Sequence, residues 1–154
     1  MTEVSFYHLV HIRVELVLST LLEKTMIAGE RALVLVGTEA RGEFLASSLW
    51  TYDPSSWLPH GTVKDGCPNE QPIWLAADDF NPNGATFLFL IDGTTTERLS
   101  EFKRCFELFD GNDPAMVEVA RNHWRNYKEG GHHLIYWQHK PPSGWEIKAE
   151  HIGE

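Results

Sequence analysis

The chain has 154 residues, of which 42% are hydrophobic and 23% charged, with a formal net charge of -9 and two cysteines. That balance suits one globular domain with its own core rather than a disordered chain. An acidic chain lacks the broad basic footprint through which proteins neutralise duplex phosphates, so weak or no direct nucleic-acid binding is expected.

No apolar run approaches the roughly 20 residues that cross a bilayer. The first apolar run is broken by Glu15 and no cleavage pattern follows, so neither a membrane span nor a signal peptide is expected. Cys67 and Cys105 match no C-x-x-C pattern and are expected to stay reduced in a cytoplasmic protein.

In chain order, Val4-Ser5-Phe6-Tyr7-His8-Leu9 carries β-favouring residues and reads as a strand. Arg13 to Ala28 places Val14, Val17, Leu18, Leu21 and Leu22 at helical spacing, with Gly29 as the stop. Ala32 to Val36 is a continuous apolar run, the pattern of a strand buried on both faces. Thr38 is placed to cap a helix over about Glu39 to Trp50, with Phe44, Leu45 and Leu49 inward. Tyr52 to Pro72 is rich in Pro and Gly and reads as loop.

Ile73-Trp74-Leu75 is a short strand, Asn81 to Gly84 a turn, and Thr86 to Ile91 another buried strand. Glu97 to Lys103 reads as a helix and Arg104 to Phe109 as a strand. Asp113 then caps a helix with Pro114 at its first position, ending at Gly130-Gly131. His133 to Trp137 is a last strand, and the chain from about 144 reads as a tail. Strands alternating with helices predict a single α/β domain over 1–154, with a mainly parallel sheet covered by helices on both faces.

No nucleotide fingerprint is present: Gly37-Thr38-Glu39-Ala40-Arg41-Gly42 is not G-x-G-x-x-G, and Glu39 would repel a pyrophosphate there. The P-loop, H-E-x-x-H and G-x-S-x-G patterns are absent too. His132 and His133 would point to opposite faces of a strand. His60 reads as a loop residue, Cys105 as a packed thiol, and Asp78-Asp79 as a solvated pair. No cofactor, metal site or catalytic set is expected.

Two features remain. The helix after Asp113 separates, at 3.6 residues per turn, into an apolar face (Met116, Val119, Ala120, His123, Tyr127) and a basic, aromatic face (Val117, Arg121, Trp124, Arg125, Lys128). The second face is either a solvated stripe, with Lys128 favoured by the helix dipole, or a site for an anionic partner with an apolar anchor. An arginine pair can grip a carboxylate while an indole packs an apolar group. Trp50 and Trp57-Leu58-Pro59 flank the Pro-rich loop, and six tryptophans are many for one core. Trp50 either closes the core beneath the loop or joins Trp57 in an aromatic hot spot for another subunit.

Several stretches stand in a recognisable order: Val4-Ser5-Phe6-Tyr7, Ala46 to Trp50 followed by Trp57-Leu58-Pro59-His60, Phe106-Glu107-Leu108-Phe109-Asp110, then Ala120-Arg121, Trp124-Arg125, Tyr127-Lys128 and Gly131. On these, along essentially its whole length, the chain resembles the chi subunit family of bacterial DNA polymerase III. No one of these stretches is diagnostic; their order and spacing together carry the likeness.

The resemblance implies a Rossmann-like domain without nucleotide chemistry, and a non-catalytic accessory of the clamp-loader complex. It implies that the late helix grips the acidic C-terminal tail of single-stranded-DNA-binding protein. Arg121 and Arg125 would hold the tail's carboxylates, and Trp124, where better-studied members have tyrosine, would pack its terminal phenylalanine. Val117 departs from the family, which has a further basic residue there, and Lys128 is the candidate to compensate. The surface of Trp50, Trp57, Leu58 and Pro59 would meet the psi subunit where one exists. The rival readings are an α/β enzyme using His60 or Asp92 in a cleft, and direct single-strand binding through Trp124 and its arginines.

Overall fold

A computed structural model describes residues 2–51, 58–142 and 144–153, with the side chain of Trp50 also left aside. The elements are β1 (Glu3–Leu9), α1 (Val14–Ile27), β2 (Ala32–Leu35), α2 (Glu39–Thr51), β3 (His60–Gly61), β4 (Ile73–Ala76), β5 (Phe87–Ile91), β6 (Arg104–Asp110), α3 (Pro114–Glu129), β7 (His133–Lys140) and β8 (Gly144–His151). The strands form one sheet in the order β3-β4-β2-β5-β6-β1-β7-β8. Every pairing is parallel except β7 with β8. The α/β expectation is therefore met.

The continuous apolar runs follow from burial on both faces. In β5, Phe87, Phe89 and Ile91 point to one face and Leu88 and Leu90 to the other, as period-2 alternation demands. The first face packs under α1 and α2 through Leu18, Leu22, Leu45 and Leu49. The second packs under α3 through Met116, Ala120, Trp124 and Tyr127. The sheet is thus covered from both sides.

Local signals explain the helix ends. The Thr38 hydroxyl accepts the Arg41 N–H at 3.1 Å, and the Asp113 carboxylate accepts that of Ala115 at 3.0 Å. At the end of α3, Gly131 takes φ +79, which its missing Cβ allows. Its N–H then reaches Lys128 O at 3.1 Å and the His132 N–H reaches Tyr127 O at 3.2 Å. These are the two bonds that satisfy the last carbonyls of a helix closed by a left-handed residue.

Four expectations are corrected. Glu97 to Lys103 holds only a single 3-10 turn at Leu99–Glu101. Thr2 Oγ1 lies 2.8 Å from the carbonyls of both Leu99 and Phe102, which ties this short segment down in place of helical bonds. Phe44 is not inward but 48% exposed, with the Arg41 guanidinium 5.4 Å from its ring centre. His60 is not a loop residue but begins β3, buried, its ring nitrogens 2.6 Å from Leu58 O and 2.9 Å from Ala46 O. The residues from Gly144 onward, expected as a tail, pair with β7 as an edge strand.

Candidate peptide-binding groove

The late helix is pinned to the sheet by a buried polar pair. Glu107, in the middle of β6, is 1% exposed and bonds His123 Nδ1 of α3 through Oε1. Its Oε2 has no hydrogen-bond partner among the described residues. Burial raises the Glu107 carboxyl above its ordinary range, and the His123 bond partly offsets that. Beside it Cys105 is fully buried, its thiol pushed well up by burial, as expected of a packed cysteine.

On the same turns of the helix, the outer stripe of α3 forms the wall of an open groove of about 430 Å³. Arg121, Trp124 and Arg125 line it from the helix, His8, Tyr136 and Gln138 from β1 and β7, and Lys148 and Ala149 from β8. The sequence stripe thus contributes three of its five members. Val117 is half-buried and packs into the core under α3. Lys128 is exposed on the last turn and does not line the groove.

Trp124 is not a freely exposed indole. Its ring lies 5.4 Å from Phe6 and 6.1 Å from Tyr136, and Phe6 stacks on Tyr136 at 6.1 Å. Tilted and edge contacts at these spacings are favourable. The division of α3 into an apolar and a separate basic face is corrected accordingly, since Val117 and Trp124 share the core-facing arc. The result is an aromatic floor with cations at its rim.

The two arginines differ. Arg125 bonds the Asn122 side-chain oxygen and stands 3.8 Å from Glu118. Arg121 makes no ion pair within the described residues. It faces His8, whose Nδ1 lies 2.8 Å from the Tyr136 hydroxyl. His8 is held below the ordinary histidine value, first by burial and then by Arg121, with Asp110 opposing. Arginine guanidinium groups, an imidazole and an aromatic floor together can hold a peptide carboxylate beside an apolar side chain.

The other expected surface is less complete. Trp57 and the side chain of Trp50 lie outside the described residues. Leu58 is 3% exposed and sits in the core beneath α2, so it offers no free surface, and Pro59 is half-buried. Of the residues weighed for catalysis, His60 is buried between carbonyls. Asp92 lines a hollow of about 480 Å³ at the C-terminal strand ends, where its carboxylate lies 2.8 Å from Arg41 Nε. Asp79 is held by Thr96 Oγ1 at 2.7 Å and the Glu97 N–H at 3.0 Å. Among the described residues no helix is long and apolar enough to cross a membrane.

Comparison with known proteins identifies the family. A family model described as DNA polymerase III chi subunit, HolC, matches residues 1–135. A curated relative described as probable DNA polymerase III subunit chi, from Rickettsia prowazekii (strain Madrid E), is 28% identical over 109 residues. The aligned stretch spans 71% of this chain and 66% of that relative, just short of two thirds of the relative's own length.

Proposed function

The chain belongs to the DNA polymerase III chi subunit family, and from that premise we propose that it is a non-catalytic accessory subunit of the clamp-loader complex in DNA replication. It links that complex to the acidic C-terminal tail of single-stranded-DNA-binding protein. The observation that carries this reading is the groove itself: Arg121, which makes no ion pair among the described residues, and Arg125 line it together with the half-buried indole of Trp124. The arginines take tail carboxylates and the aromatic floor takes the tail's terminal phenylalanine.

The adaptor makes no bond and needs no cofactor. Its work is to tie two binding events together, so that contacts weak alone gain from effective concentration. A second contact, to a psi subunit where the source has one, is assigned to the segment carrying Trp50, Trp57 and Pro59.

Calorimetric titration with the last ten or so residues of the source's own single-stranded-DNA-binding protein tests the reading. Saturable binding is expected, weakening as salt rises because exposed charge contacts are screened. Arg121→Ala removes a charge-assisted contact of about 1.5–3 kcal/mol, or roughly 10- to 150-fold in affinity. Salt-independent binding, or an Arg121→Ala variant that binds like wild type, overturns the assignment. A bare oligonucleotide in the same cell should give no comparable heat; strong binding there would favour direct single-strand recognition.

A further inference from the structure

The family match ends at residue 135, yet the groove does not. Its far wall is β8, a strand wholly beyond the matched stretch. The pairing of β8 with β7 is irregular at one place: Tyr136 lies opposite Ala149, and the next residue, Trp137, lies opposite Ile147. Lys148 is the extra residue. An extra residue in an edge strand re-aims side chains, and its effect here can be followed along the strand. Ile147 stays opposite Trp137, away from α3, while Lys148 and Ala149 both line the groove beside Arg121 and Arg125.

Lys148 already holds a carboxylate. Its Nζ lies 3.4 Å from Glu146 Oε2, with the two side chains 45% and 52% exposed. An exposed pair of that kind is weak and exchangeable. The groove therefore has two cations on the helix and one on the opposite wall, in a chain whose net charge is -9. On the helix, the position one turn before Arg121 carries Val117 and supplies no charge.

We propose that β8 is part of the peptide site, and that Lys148 contacts a carboxylate of the acidic tail from the wall opposite α3. It supplies the charge that Val117 does not. Glu146 stands in for the tail until the tail binds. This inference rests on the groove being the tail site.

The test is calorimetry of the full chain with an acidic ten-residue peptide ending in phenylalanine with a free carboxylate. Lys148→Ala is expected to weaken binding about 5-fold, as loss of one partly exposed charge contact implies, and Lys148→Glu more strongly. Glu146→Gln, which releases Lys148, is expected to tighten binding about 2-fold. Lys140→Ala, an exposed cation outside the groove, should leave affinity unchanged. If both Lys148 variants bind within 2-fold of wild type while Arg121→Ala loses binding, the β8 inference fails and the adaptor reading stands. If wild type does not bind the peptide, both fail.

Discussion

Replacing His123 with alanine removes the only hydrogen-bonding side chain on Glu107 among the described residues. The carboxyl is 1% exposed, its Oε2 already lacks a partner, and the substitution strips Oε1 as well. Removing one partner of a buried hydrogen-bonded pair costs roughly 3–5 kcal/mol where the carboxylate left behind is ionised and uncompensated. Against a typical total stability of about 5–15 kcal/mol, that is a large fraction. At about 2–4 °C per kcal/mol for a chain of this size, Tm should fall by roughly 6–20 °C.

Urea unfolding followed by far-ultraviolet circular dichroism reads this directly, with the m-value unchanged if the folded state keeps its extent. A second arm follows from linkage. Burial raises the Glu107 carboxyl and His123 lowers it, so the variant's carboxyl rises further. A group raised on folding contributes stability that is full below its unfolded value and is lost as pH rises through the folded one. The variant should therefore lose stability through Glu107 as pH rises above the ordinary carboxylate range. Adding Glu107→Leu replaces the charge by an apolar side chain and should restore most of the loss. A His123→Ala variant within about 1 kcal/mol of wild type, or a double variant no better than the single, refutes the reasoning.

Three further outcomes are expected. His8 lines the groove, faces Arg121, Asp110 and Tyr136, and is held below the ordinary histidine value; an acidic peptide favours its charged form, so affinity should rise as pH falls from neutral to below the ordinary histidine range. Titration at neutral and at mildly acidic pH should show this in wild type and not in His8→Gln, and a pH-independent wild type would remove His8 from the site. Trp124→Ala should cost about 2–4 kcal/mol of stability through lost packing on Phe6 and Tyr136, and more than 10-fold in peptide affinity, whereas Trp124→Tyr should bind within a few-fold of wild type. Cys67 is exposed and Cys105 buried with its thiol pushed up, so native alkylation followed by mass spectrometry should label Cys67 alone.

The fold was legible wherever a local signal decides an element. Asp113-Pro114 and Gly130-Gly131 bracket α3 because a cap and a left-handed stop act within one turn. The apolar runs of β2 and β5 mark strands buried on both faces for the same local reason. β8 was hidden because an edge strand with charged residues at Glu146, Lys148 and Glu150 has no apolar run of its own. Its identity comes from pairing with β7.

The site divides along the same line. Arg121, Trp124 and Arg125 fall together through helical period alone. The period misplaced Val117 and Trp124 because a helix lying on a sheet buries an arc wider than one stripe. The other wall has no signature in one dimension: His8 and Tyr136 are 128 residues apart and meet because β7 lies beside β1 in the sheet. Lys148 is a step further removed, since its direction depends on one unpaired residue in the register between β7 and β8. A groove half on a helix and half on a sheet edge is therefore legible by halves: helical period gives the first, and the second is set by strand pairing that no local pattern encodes.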